Sequence, residues 1–275
     1  MKIIRVFPRK TSMTPRDDYA FVGDPPSKLI RPEADEVHVD CTFTWDIKKV
    51  LRLVEAWRQY YPVVQLGGAA LGSPAGEFVP GLYVRHGVTI TSRGCNNHCP
   101  WCLARLREGP HREIGIHPGN NILDNNILQS SKEHLAEVFD MLRSQRTIRF
   151  SGGLDSRQLT DSIADDLRSL SIKHLFFACD TKEAIKPLER AKQKLHGFTR
   201  EHLRCYVLLA FDNETISQAQ ERLEAVWGLG FMPFAMLYQP PDKYIEYSKE
   251  WRALARTWSR PAAMKAYMRA NNGSR

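Results

Sequence analysis

The sequence predicts an α/β protein: an open barrel of six β/α units, with a small α/β appendage before it and a helical tail after it. Three observations carry this. From residue 87 onward, short apolar runs of strand length alternate with amphipathic helical stretches, the pattern of a parallel sheet with crossover helices. Six such runs occur before the last helical stretch, two short of a full eight-unit barrel. The chain has 275 residues, 43% of them apolar and 25% charged, which can fill a core and excludes the disordered and low-complexity classes.

In chain order, residues 1–86 form the appendage, 87–240 the barrel and 241–275 the tail. Residues 1–10 alternate Ile3, Ile4, Val6 and Phe7 with Lys2, Arg5, Arg9 and Lys10, too short and interrupted an apolar run for a secretory leader, so a cytoplasmic protein is expected. Among the longest apolar runs, 205–211 and 231–238, both are strand length and neither approaches a membrane span. After a Pro- and Arg-rich stretch, 7–32, residues 36–44 alternate as a strand. Asp46 can cap a helix carrying Ile47, Val50, Leu51, Val54 and Trp57, and 63–66 is a second strand, giving a βαβ-like half unit. A turn-rich segment, 67–81, ends the appendage. Within it, Gly67-Gly68-Ala69-Ala70-Leu71-Gly72 imitates part of a dinucleotide fingerprint, yet no helix follows to receive phosphates, so it reads as a turn.

The barrel strands are expected at 88–91, 121–123 (a weak one), 147–151, 174–178, 204–211 and 232–237. A helix over 130–143 starts with Ser130 and Glu133 in capping-box spacing. The next carries Leu159, Ile163, Leu167 and Leu170 on one stripe, and a helical stretch at 182–195 must be kinked or divided by Pro187. A further helix carries Ile216, Ala219, Leu223 and Val226, and the tail helix covers about 247–257 with Trp251, Arg252, Arg256, Trp258 and Arg260. That helix either packs on the barrel with snorkelling arginines or stacks on a nucleic acid, a partner class that the net charge of +8 favours.

Three of the six cysteines, Cys95, Cys99 and Cys102, fall within eight residues in Cys-x-x-x-Cys-x-x-Cys spacing, while Cys41, Cys179 and Cys205 are scattered. Clustering of this kind in a chain without an export signal points to metal ligation before disulfides. Three thiolates on a loop after a strand can hold an iron–sulfur cubane and leave its fourth iron open. The alternative is a structural zinc site, non-catalytic, with His98, His111 or His117 as fourth ligand.

The stretch Thr91-Ser92-Arg93-Gly94-Cys95-Asn96-Asn97-His98-Cys99-Pro100-Trp101-Cys102 resembles the cluster loop of the radical S-adenosylmethionine (radical SAM) enzymes, nearest to the methylthiotransferase and cobalamin-binding branches. The resemblance spans about residues 87–240 and is strongest in this loop. It implies a partial (β/α)6 barrel, a [4Fe-4S] cluster on the three cysteines, S-adenosylmethionine chelated to the fourth iron, and reductive cleavage to a 5′-deoxyadenosyl radical that abstracts hydrogen from a substrate. It also implies an external flavodoxin- or ferredoxin-like electron donor. RNA modification is a candidate use, from the charge and the branch.

Further site residues follow from the carboxyl ends of the strands. Asp124, Asn125 and Asn126 resemble an Asp-Asp-Asn segment of the cobalamin-type branch, with Asn at the second acid. Ser151-Gly152-Gly153-Leu154-Asp155 resembles the Gly-Gly-Glu motif that binds the cofactor's amino group, with Leu154 in place of Glu; the glycines otherwise turn strand into helix. Asp180, Asp212 and Asn213 stand where the superfamily contacts ribose or methionine, or else cap helices. Trp101 would pack by the adenine, or serve as a wall. Cys179 faces either the site or the core. Residues 103–108 allow barely two helical turns, which would leave His111, Arg112 and His117 open to substrate or solvent. The appendage resembles the end of a cobalamin-binding Rossmann domain, but Glu36-Val37-His38-Val39-Asp40-Cys41 lacks the cobalt-ligating Asp-x-His-x-x-Gly pattern, so cobalamin is not expected.

Overall fold

Apolar residues at every second position make β1 (Ile3–Phe7), β3 (Glu36–Asp40) and β4 (Val64–Gly67) pair in parallel, and with β2 (Ala20–Val22) they form a four-stranded sheet of order β2-β1-β3-β4. The computed structural model describes residues 1–72 and 76–272. Ser73, Pro74 and Ala75 of the turn-rich segment, and residues 273–275 of the tail, lie outside them. Helix α1 (Ile47–Arg58) lays Val50, Leu53, Val54 and Trp57 on Ile4, Val6, Val37 and Val39, all buried in one cluster. The appendage is therefore more than the expected half unit: residues 3–7 are an interior strand, not merely charged alternation. Arg5 is tolerated there, 8% exposed, because Asp17 takes its guanidinium through two 2.6 Å bonds and the Leu82 carbonyl takes a third at 3.0 Å. Asp46 stands at the N-cap of α1 without capping it, since its carboxylate accepts instead from Arg9 Nε at 2.6 Å.

The second sheet comprises β5 (Val88–Thr89), β8 (Asn121–Ile122), β9 (Ile148–Leu154), β10 (Ile172–Ala178), β11 (Leu203–Leu209) and β12 (Met232–Leu237). All six run parallel in the order β12-β11-β10-β9-β8-β5, so every strand lies beside its predecessor. The six expected strands are all present, with the short pair at 121–122 in second place. Between β5 and β8 a two-stranded antiparallel ribbon, β6 (Ser92–Arg93) with β7 (Arg112–Glu113), brackets helix α2 (Ala104–Glu108). Helices α3 (Lys132–Arg143), α4 (Asp161–Arg168), α5 (Ile185–Lys194) and α6 (Ile216–Gly228) connect the later strands.

Alternate strand residues, among them Phe150, Leu175, Phe177, Cys205 and Val207, share one buried cluster with Leu135, Val138, Leu167, Leu188, Leu223 and Val226 of the helices. Each fully buried Leu or Phe contributes about 1.5–3 kcal/mol. Ser131, not Ser130, caps α3, accepting from the His134 amide. The stretch with Pro187 divides into a 3-10 turn, Lys182–Ala184, and α5, leaving the proline in the first helical turn, where its missing N–H costs nothing. The tail forms α7 (Lys249–Ser259) and α8 (Pro261–Asn272). Trp258 is fully buried in the helix-side core and donates to Gln220, so it packs on the sheet domain and is not available to stack on a nucleic acid. Among the described residues no helix is long and apolar enough to cross a membrane.

Candidate active site

The β6–β7 ribbon closes the base of the cysteine loop, which leaves the carboxyl end of β5, the first strand of the large sheet. Its conformation is set from behind by Asp124, 1% exposed, whose carboxylate accepts from the Thr91 amide (2.8 Å), the Thr91 hydroxyl (2.8 Å) and the Ser92 hydroxyl (2.6 Å). Burial pushes this carboxyl up in pKa, and the bonds from Ser92 and Thr91 oppose the rise. Asn125 accepts from the Gly94 amide at 3.0 Å. Gly94 has φ +77, and a Cβ there would meet the Pro110 carbonyl oxygen at 2.1 Å, so only glycine lets the two ends of the loop close. Asp124 and Asn125 thus hold the loop in place, with the Asp124 carboxylate buried and accepting three bonds from Thr91 and Ser92, a structural task beside the cofactor contact expected of it.

Cys95 is buried, Cys99 half-buried and Cys102 exposed. Burial raises the Cys99 thiol in pKa and so does charge on Cys102 and Cys95, while Arg157 lowers it; Cys102 is raised by desolvation and by Cys95. The three thiols therefore lie within electrostatic reach of one another. The groups acting most strongly on Cys99 and Cys102 include Asp180, Arg157 and Arg107, and no histidine. Of the histidines proposed for zinc, His111 Nε2 meets the Ser130 hydroxyl at 3.0 Å while its buried Nδ1 has no partner among the described residues, His117 lies against Phe78, and His98 is exposed. Among the described residues, no three His, Cys, Asp or Glu side chains converge on a point for a single metal ion. A cubane asks instead for thiolates spread over three corners, with hydrogen bonds to sulfur tuning it. Three thiols on one loop are of the donor type that a cubane takes. The Asn97 amide lies 3.4 Å and Asn126 Nδ2 3.9 Å from Cys95 Sγ, and Asn126 Oδ1, in a residue 4% exposed, has no partner among the described residues.

Residues at the neighbouring strand ends gather around the loop. Asp155, after β9, accepts from Asn97 at 2.9 Å and from Arg157 through two bonds; burial raises its pKa, but these partners outweigh it and hold the carboxyl low. Gln129 ties Asn96 and Asn97 to the turn after β8. Asp180, after β10, caps nothing: it accepts from the Leu208 amide at 2.9 Å and from Trp101, and burial raises its pKa. Trp101 stands edge-on to Phe211 at 5.3 Å, and Phe211 edge-on to Tyr238 at 5.0 Å, an aromatic wall across β11 and β12. Asp212 and Asn213 are exposed and cap no helix either, because α6 is capped by Thr215 with Gln218 in a capping box. Ala210, Asp212 and Asn213 all have positive φ, +61, +51 and +58, a concentration of left-handed non-glycine residues of the kind found at functional sites.

Gly152 and Gly153 belong to β9 rather than to a turn after it. A Cβ on Gly152 would lie 1.9 Å from the Asp124 carbonyl oxygen, so this glycine admits the neighbouring backbone, not a cofactor. Gly153, with φ +102, faces open space. Cys179 is fully buried in the helix-side core, with burial lifting its thiol to about 12, so it does not face the site.

Sequence reasoning misses Arg222 of α6. It is 5% exposed, donates to the Cys179 carbonyl (2.8 Å) and the Leu208 carbonyl (2.7 Å), and pairs with Glu214, whose other oxygen accepts from the Ala210 amide at 3.0 Å. The signal is an arginine on the apolar stripe of a helix, between Ala219 and Val226. The sheet face away from the helices also escapes the sequence. There Phe176 stacks on Tyr206 at 4.7 Å, Tyr206 meets Phe234 edge-on at 5.9 Å, and Phe234 is 40% exposed. Arg149, His174 and Arg204 lie on the same face, and burial followed by the charge of Arg204 and Arg149 lowers His174 to about 4, keeping it neutral. No family model matches the chain, and no curated protein matches it.

Proposed function

We propose that this chain is a radical SAM enzyme, with Cys95, Cys99 and Cys102 as the ligands of a [4Fe-4S] cluster and S-adenosylmethionine as the second cofactor. The observation that carries the reading is the placement of the loop: three cysteines on one short segment, with N–H donors at Cys95 Sγ, at the carboxyl end of the first of six sequentially ordered parallel strands. In this reading the six strands and their helices are a partial (β/α)6 barrel, and the aromatic face is its interior. When bound, the two cofactors supply a 5′-deoxyadenosyl radical, with methionine as the other product and an external flavodoxin- or ferredoxin-like protein as electron source.

The chain's own residues have the remaining tasks. Asn97 and Asn126 bring N–H groups to Cys95 Sγ, and the charge of Arg157 acts to lower Cys99 against its burial. Asp155 orders Arg157 and Asn97 and so fixes the loop, and Trp101 with Asp180, Phe211 and Tyr238 makes the wall that orients a planar adenine and keeps water out. Gly153 leaves its backbone open to a ligand, and Asn213 offers a polar group past β11. Phe176, Tyr206 and Phe234, flanked by Arg149 and Arg204, form the surface for an anionic aromatic substrate, which keeps a nucleotide of RNA as the substrate class to test first.

Anaerobic reconstitution with iron and sulfide tests the ligand assignment. Wild-type protein should turn brown with broad sulfur-to-iron charge-transfer absorption. Replacing Cys95, Cys99 or Cys102 by Ala should abolish iron binding, while Cys41→Ala and Cys205→Ala should retain it. A colourless protein that takes up zinc, or loss of the cluster in either of the last two variants, would refute the assignment.

A further inference from the structure

We propose that a second binding site lies on the reverse side of the cluster loop, where the cavity between the appendage and residues 90–108 binds a small organic anion bearing a hydroxyl or amino group. The cavity measures about 400 Å³, within the range of small-molecule sites. It lies outside the carboxyl ends of β3 and β4, at Asp40, Gly67 and Gly68, the end of an open parallel sheet at which ligands bind.

Charge identifies one end of the ligand. Three guanidinium groups surround the single carboxylate of Glu108: Arg107 Nε at 3.0 Å, Arg112 at 3.7 Å and Arg93 at 3.9 Å, with the Glu108 side chain 2% exposed. Glu108 and, at Arg93, the Asp124 carboxylate offset part of this charge, and Asp40 and Glu77 are the other carboxylates on the cavity lining; Arg93 and Arg107 are 12% and 20% exposed. Arg93 Nε is buried and has no hydrogen-bond partner among the described residues. Of the three arginines, the two more buried ones, Arg93 and Arg107, line the cavity. A carboxylate or phosphate placed against them supplies the acceptor that Arg93 Nε lacks.

The opposite wall accepts hydrogen bonds. His38 lies between Glu36 Oε2, 2.8 Å from its Nε2, and the Tyr83 hydroxyl, 2.5 Å from its Nδ1. Tyr83 and Asp40 both line the cavity, and the Asp40 carboxylate is an acceptor there. Gln65 donates to Glu36 at 3.0 Å. Donors on one wall and acceptors on the other select a molecule with an anionic end and a hydroxyl or amino end, and Phe78 and Ile90 accommodate an apolar body between them.

Calorimetric titration of the cluster-free full chain tests this without reference to the radical chemistry, using citrate, adenosine 5′-monophosphate and inorganic phosphate. The proposal expects saturable binding of citrate or the nucleotide, at least tenfold tighter than inorganic phosphate; which of the two binds separates a carboxylate ligand from a phosphate ester. Arg107→Gln should weaken that binding at least tenfold, and Tyr83→Phe should weaken it while leaving any inorganic phosphate binding unchanged. Should Arg107→Gln fail to fold by circular dichroism, Asp40→Asn replaces it with the same tenfold expectation. Absence of saturable binding for all three probes, inorganic phosphate binding as tightly as the organic anions, or organic-anion binding undiminished in the variants would overturn the site.

Discussion

Gly152 lets β9 run against the backbone of Asp124, the residue that in turn holds Thr91 and Ser92 at the root of the cluster loop. A methyl group at this position cannot be absorbed by a flexible side chain, because what it meets is a carbonyl oxygen. Gly152→Ala is therefore expected to cost about 1–3 kcal/mol in a thermal or urea melt, and to weaken cluster retention with it by displacing Asp124. Gly153→Ala should cost about 1–2 kcal/mol from its left-handed backbone and spare the cluster, since nothing lies within 4 Å. Equal stability of wild type and Gly152→Ala would show that the strand contact is not tight. In the sequence the glycine pair marks a close approach, but its partner is set by strand pairing and cannot be read locally. The cysteine spacing is different: all three proposed ligands lie in one short segment, and the loop keeps them together whatever the rest of the chain does.

At the scale of elements, α6 does two jobs with one face. Ala219, Leu223 and Val226 pack into the core, while Arg222 reaches the carbonyls at the ends of β10 and β11 and, through Glu214, the strained turn at Ala210. Arg222→Met removes one member of a buried pair and leaves Glu214 uncompensated, so urea denaturation should show a loss of about 3–5 kcal/mol. Arg222→Lys should recover only part of it, because an ammonium cannot serve both carbonyls and the carboxylate with the same fork. A loss below about 1 kcal/mol in Arg222→Met would mean that the turn stands without the clamp. The apolar stripes of α3 to α6 and the six strands were legible because their periodicity is set by burial on one face. Strands β1 and β2 were not: Arg5 sits in the interior of β1 only because Asp17 and Leu82, distant in sequence, satisfy it. The caps at Asp46 and Ser130 shifted for a similar reason, a tertiary partner in one case and a one-residue frame in the other.

The whole molecule joins two parallel sheets through the segment that carries the three clustered cysteines. The large sheet presents the cysteine loop, Asp155, Asp180 and the aromatic wall at the carboxyl ends of its strands, and the appendage closes a cavity against the loop's other side. On the proposed function, this arrangement cleaves S-adenosylmethionine reductively. The most direct measurement is chromatographic analysis of the products after reconstituted, reduced protein is incubated anaerobically with S-adenosylmethionine alone. Slow formation of 5′-deoxyadenosine and methionine in equal amounts is expected, absent in Cys99→Ala. Recovery of S-adenosylhomocysteine as the only product, or of unchanged S-adenosylmethionine from protein with a full cluster, would contradict it.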